Sequence, residues 1–185
     1  MDMEKYRLNV KQMALIGLMA AVICVIAPFS LNIPVSPVPI SLGSMAIYFV
    51  ITVLGMWRGT ICVLLYILLG FVGLPVFTNF SGGVGKVLGP TGGYIVGYVF
   101  LALIFGFFVE HWKGRLVMHI IGGVLGTIVL YLFGTLWLAY LTHMGFVAAL
   151  WAGVIPYIPG DIVKLAVSMG VGIRLRKRLA KAGLL

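Results

Sequence analysis

Six long apolar runs, five of them uncharged, constrain this chain more than any other feature, falling at roughly residues 13–31, 40–57, 59–75, 92–109, 116–139 and 148–173. Each is 17 residues or longer, and at 1.5 Å per residue the shortest covers about 26 Å, close to the hydrocarbon core of a bilayer. None shows the period-two alternation of a barrel strand, so the runs predict helices, the only other structure that satisfies its backbone inside lipid. Composition agrees. Hydrophobic residues make up 62% and charged residues 9% of the chain, against about 25% charged in a soluble domain. These values exclude an ordinary cytosolic enzyme, a disordered tail and a secreted disulfide scaffold. Residues 1–185 are expected to form one all-α integral membrane domain, a six-transmembrane-helix bundle.

The formal net charge of +9 is explained by topology rather than by nucleic acid. With the N-terminus in the cytoplasm, 11 of the 13 basic residues fall inside: Lys5, Arg7, Lys11, Arg58, Lys113, Arg115, Arg174, Arg176, Lys177, Arg178 and Lys181. Lys86 alone lies in an outer connection and Lys164 alone within a span. This asymmetry predicts cytoplasmic N- and C-termini. The segment from Lys5 to Leu31 resembles a signal peptide, but its apolar run is too long and it reads as a retained helix. Cys24 and Cys62 sit in apolar runs and read as small hydrophobes.

The inner connections are short, whereas the outer ones, Asn32–Pro39 and Pro75–Thr91, are rich in Pro and Gly and are expected to lack regular helix. Function is therefore expected at the outer face. No internal repeat supports an inverted-repeat transporter.

Asp161 and Lys164 are the acid and base of the last span, in Pro156-Tyr-Ile-Pro-Gly-Asp-Ile-Val-Lys164. A charge at mid-membrane costs about 2.5–3.5 kcal/mol on insertion scales, so such residues are usually functional. At i and i+3 the two share a helix face, which Ser168 extends. Pro159 suits the first helical turn and would place Asp161 at the positive end of the helix dipole. A structural ion pair that fixes packing is the alternative, and the two roles are compatible.

The second constellation is Phe77-Thr-Asn-Phe-Ser-Gly-Gly-Val-Gly-Lys-Val-Leu-Gly-Pro-Thr-Gly-Gly-Tyr94. It fails as a Walker motif, because Phe80 stands at the first glycine and Val87 at the final Ser/Thr. Leu88 defeats the dinucleotide pattern. Any use of ATP must come from a partner chain. The stretch does offer Asn79, Lys86 and a polar stripe of Thr91, Tyr94 and Tyr98, which suits either interhelical hydrogen bonding or ligand contact. On the first span Ala14, Gly17, Ala21 and Cys24 form a small-residue face, and Gly122 and Gly126 form another on the fifth. Packing within the bundle or against a partner explains such faces. His111, His119 and His143 are isolated and suggest no metal site.

Taken together, Pro34-Val-Ser-Pro-Val-Pro39, Gly70-Phe-Val-Gly-Leu-Pro-Val-Phe77, Ser81-Gly-Gly83, Leu88-Gly-Pro-Thr-Gly-Gly-Tyr94 and Gly160-Asp-Ile-Val-Lys164 resemble the BioY family, the biotin-binding S components of energy-coupling-factor (ECF) transporters. The match runs through essentially the whole chain. It implies a six-helix S component of a bacterial or archaeal cell membrane that captures biotin from outside. It also implies a transmembrane T component and two ABC-type ATPase subunits as partners, with no cofactor of its own. Asp161 and Lys164 map to the family's ligand-binding pair, and the loop maps to Asn79, Lys86, Thr91 and Tyr94. Ala14, Gly17 and Ala21 map to the face that docks on the T component.

Chemistry then suggests a pose. Asp161 accepts a ureido N–H of biotin, Lys164 donates to the ureido carbonyl, and Lys86 meets the carboxylate. The competing readings are an S component for another vitamin, an intramembrane enzyme using Asp161 and Lys164, and a structural assembly protein.

Overall fold

The computed structural model describes residues 9–31 and 38–185 and is mostly helical. Lys5, Arg7 and Pro34–Pro37 of the motifs above lie outside the described residues. The order is α1 (Val10–Ile26), β1 (Ser30–Leu31), β2 (Ile40–Ser41), α2 (Gly43–Leu54), α3 (Met56–Phe71), α4 (Val84–Val87), α5 (Gly92–His111), α6 (Leu116–Thr142), α7 (Phe146–Gly153), a 3-10 turn (Ile155–Tyr157) and α8 (Ile158–Lys181). Each predicted span contains a helix. The long apolar stretches are α5, α6 and the continuous segment Phe146–Lys181, whereas α1, α2 and α3 are shorter.

Several boundaries and one loop differ from the sequence expectation. Pro28 has no N–H to continue α1, so the helix stops at Ile26 and Ser30–Leu31 pairs antiparallel with Ile40–Ser41. The region expected to be span to residue 31 is thus partly a ribbon. The Pro75–Thr91 loop does hold one helical turn, α4, which begins after Gly83 at φ +87°. Gly83 and Gly89-Pro90 bound this turn, and Gly85 is accommodated within it. The last span is not one helix. Pro156 lacks a donor and its ring conflicts with the carbonyl four residues back, which divides α7 from α8. Pro159 falls in the first turn of α8 with Asp161 just behind it, as expected.

At 12 residues α2 is only about 18 Å long, and it is buried on nearly every side. A helix apolar all round belongs in an interior, so its length is set by its neighbours and not by lipid. Its ends are closed by side chains. Ser41 Oγ donates to the Ala27 carbonyl (3.1 Å) and accepts the Gly43 N–H (2.8 Å), tying the end of α1 to the start of α2. At the other end Arg176 donates to the free carbonyls of Thr52 (3.3 Å) and Val53 (3.1 Å), while Glu110 accepts the Met56 N–H at the start of α3 (3.2 Å). The turn between them passes through Gly55 at φ +82°.

Glycines set the approach of α5 to α6. A Cβ on Gly93 would stand 2.3 Å from Trp137 Cβ, and one on Gly134 would stand 2.2 Å from the Tyr94 ring. Gly122 and Gly126 face Phe108 and Leu101 in the same seam, so this pair packs within the bundle. On α1 the geometry is the reverse. Ala14, Gly17 and Ala21 are exposed, and nothing lies within 4 Å of a Cβ placed on Gly17.

These two environments predict opposite outcomes for one substitution. Gly134→Ala should lower the melting temperature of the detergent-solubilised protein, with overpacking costing about 1–3 kcal/mol. Gly17→Ala, which meets no neighbour, should leave it unchanged or raise it slightly.

Candidate functional site

A cavity opens where β2, α2, α5, α6 and α8 converge, with Tyr66 of α3 and Phe77 and Thr78 of the following loop completing its wall. Asp161 and Lys164 project into it from the first two turns of α8. Their Oδ1···Nζ distance is 2.9 Å and each side chain is 11% exposed. Two charges held this far from water cost several kcal/mol unless their remaining valences are met. The surrounding helices meet them. Lys164 Nζ donates to Asp161 Oδ1, to the Ser41 carbonyl (2.7 Å) and to Ser44 Oγ (3.2 Å), which engages all three of its protons. Ser44 Oγ stands 3.4 Å from Asp161 Oδ1, and Tyr131 donates to Asp161 Oδ2 at 2.6 Å.

A carboxylate offers about four lone-pair positions. Two on Oδ1 and one on Oδ2 are engaged, which leaves one acceptor position on Oδ2 in the cavity wall. A second unspent group is Thr91 Oγ1, buried on the same wall with no hydrogen-bond partner. Buried polar groups are rarely left so, and a polar ligand or water is the ordinary remedy.

Tyr94 also lines the cavity, but its hydroxyl donates to the Gly153 carbonyl at 2.9 Å. It thereby satisfies backbone freed where α7 ends, and its ring is the wall. Tyr157 does similar service with the Val38 carbonyl. Tyr98 lies on the wall a turn beyond Tyr94. Ser168 continues the Asp161 face, but it turns to the Met45 carbonyl of α2 (2.8 Å) and packs the two helices together.

The structure does not bring Asn79 and Lys86 to this wall. Asn79 sits in the tight turn closed by the Phe77–Ser81 bridge, with φ +61° and its Oδ1 accepting from Ser30 Oγ at 2.8 Å. It joins the loop to the β ribbon, and its neighbour Thr78 faces the cavity. Lys86 lies half-buried on α4, where burial holds its ammonium below the ordinary lysine range. Ser41, Ser44 and Tyr131 are the site residues that sequence reasoning missed. Ser44 and Tyr131 are hydroxyl side chains within apolar spans, a signal that was present but shared with many other positions. Among the described residues no group of three His, Cys, Asp or Glu is placed to hold a metal ion.

What this arrangement can do is bind. A fixed carboxylate with one free acceptor position, an adjacent fully coordinated ammonium and an unspent hydroxyl suit a neutral polar group that presents an N–H and a carbonyl.

The BioY family model matches residues 2–181. The biotin transporter BioY of Thermotoga maritima is 36% identical over 90% of this chain and 96% of its own length. The biotin transporter BioY of Rhodobacter capsulatus is 37% identical over 85% and 89%. Among solved structures, the S-component for biotin from an ECF-type ABC transporter superposes with a TM-score of 0.84, at 31% identity over 96% of this chain and 95% of that one. Sequence motifs and helical bundle concur with these matches, and the chain belongs to the BioY family.

Proposed function

We propose that this chain is the biotin-binding S component of an ECF-type vitamin uptake transporter, a transport subunit and not an enzyme. The observation that carries the reading is the unspent polar chemistry of the cavity in a chain of this family. Asp161 Oδ2 keeps one acceptor position, and Thr91 Oγ1 has no partner. Biotin's ureido ring supplies an N–H donor for the remaining position on Asp161 and a carbonyl to which Thr91 can donate. Lys164 can also donate to that carbonyl by releasing Ser44 Oγ, the longest of its three contacts. Tyr66, Phe77 and Tyr94 give the apolar sulfur ring its surface. In this reading Asn79 acts through the loop, and the carboxylate tail extends past the cavity wall toward water to meet Lys86.

The same reading makes the chain a multi-pass protein of a bacterial or archaeal cell membrane with six spans: α1, α2, α3, α5, α6 and the broken pair α7–α8. The basic residues set both termini in the cytoplasm. Energy comes from two ABC-type ATPases through a transmembrane T component, since the Gly-Lys stretch lacks a nucleotide motif. The outward face of Ala14, Gly17 and Ala21 supports docking of that T component on α1.

Titration with biotin, followed through the four native Trp, should show saturable binding without product formation. Saturation by a different vitamin and none by biotin would reassign the substrate. Asp161→Asn should weaken biotin by about 1.5–3 kcal/mol, the worth of a hydrogen bond to a charged group; unchanged affinity would remove Asp161 from the site. Gly17→Trp should leave biotin affinity intact while abolishing co-purification with the T component. Loss of both together would mean that α1 supports the fold and not a partner.

A further inference from the structure

Tyr131 is the residue whose role neither the motifs nor the pair itself explains. It lies mid-way along α6, lines the cavity and directs its hydroxyl to Asp161 Oδ2 at 2.6 Å. This is the shortest contact to the carboxylate, and it comes from a different helix from the Lys164 and Ser44 contacts, both of which fall on Oδ1. The two oxygens are therefore held from opposite sides. Contacts on Oδ1 alone leave Oδ2 unheld, so the carboxylate can still rock about its Oδ1 anchor, the Cβ–Cγ torsion being intrinsically broad. A donor fixed on Oδ2 removes that freedom.

We infer that Tyr131 is a positioning residue for ligand recognition: by holding Asp161 Oδ2, it aims the one remaining acceptor position of the carboxylate into the cavity. The inference rests on the biotin-binding reading of the same site. Because Oδ2 then has room for a single further donor, the site selects a ligand that presents one N–H at that point. It disfavours one that presents a second carbonyl or a carboxylate there. Tyr131 does this without spending its own hydroxyl proton on the ligand.

Three arrangements give Tyr131 a different part. It could simply stabilise the bundle, contact the ligand directly, or neither. A double-mutant cycle separates them. Biotin affinity is measured for the wild type, Tyr131→Phe, Asp161→Asn and the double variant in the same detergent, with ligand-free melting temperatures alongside. Tyr131→Phe keeps the ring and should weaken biotin on the order of tenfold to a hundredfold. In the Asp161→Asn background the same change should cost almost nothing further. With a biotin analogue methylated on the ureido nitrogen that faces Asp161, the wild type and Tyr131→Phe should bind alike.

A direct contact would instead persist in the Asp161→Asn background, and unchanged affinity in Tyr131→Phe would also overturn the proposal. If Tyr131→Phe does not fold, 3-fluorotyrosine at position 131 serves, having nearly the same shape and a stronger donor. It should bind biotin at least as tightly as the wild type, and weaker binding would count against the inference. Wild-type protein that binds no biotin would sink the substrate reading itself, an outcome distinct from all of these.

Discussion

A carboxylate and an ammonium sealed into an apolar bundle demand partners, and that demand organises the helices around the cavity. With each side chain only 11% exposed, protein meets most of their hydrogen bonds. Ser41 and Ser44 bring the junction of β2 and α2 to Lys164, while Tyr131 brings α6 to Asp161. The consequence extends along α8. Ser168 donates to the Met45 carbonyl, Gly172 packs on Thr52, and Arg176 donates to the last carbonyls of α2. One helix is thus fastened to another by polar contacts from the cavity to the far end of α2. Much of this fastening falls on backbone carbonyls, which makes it insensitive to the side chains α2 carries.

The remaining wall is built by a different force. Between α5 and α6 the contacts are steric and are set by glycines that let the backbones close on Trp137, Tyr94, Leu101 and Phe108. Without a hydrophobic gain between helices in lipid, such close approach is what packing energy requires. The same seam positions the Gly89–Tyr94 block. Trp137 Nε1 donates to the Gly89 carbonyl, Thr91 is left facing the cavity, and the Tyr94 hydroxyl is carried to Gly153. Non-helical backbone at the α7–α8 break is tolerable because it lines the cavity and its Gly153 carbonyl is met by Tyr94.

Helices in all six apolar runs were legible in the sequence, as was the Asp161–Lys164 pair, because uncharged length and an ion pair in an apolar run are strong local signals. The helix ends were less so. Pro28 and Pro156 marked them, yet hydropathy ran past both, since strand, turn and helix are equally apolar here. Ser44 and Tyr131 stayed hidden for a related reason: their role depends on which helices become neighbours, and no spacing within one helix encodes that. Tyr94 shows the opposite case. Its stripe with Thr91 and Tyr98 left interhelical bonding and ligand contact both open; all three line the cavity, and only the fold distinguishes a hydroxyl spent on Gly153 from one left open on Thr91. Asn79 and Lys86 were grouped with them by sequence proximity, and a tight turn and a single helical turn carry both off the wall.

The cavity wall contains residues from α2, α3, α5, α6, α7 and α8, and none from α1. Helix α1 packs on α2 and α3 through Leu15, Ile16, Met19, Ala20 and Ile23, leaving Ala14, Gly17 and Ala21 outward. Small side chains on an outward face forgo the lipid contact that larger ones would make, and they permit another backbone to approach. The polar chemistry and this bare face are therefore separated by the thickness of α2 and α3. Ser41 stands between the two, since its Oγ holds the Ala27 carbonyl just beyond α1 and its own carbonyl accepts Lys164. A single serine, by its backbone and its side chain, thus links the buried charge to the end of the outward helix.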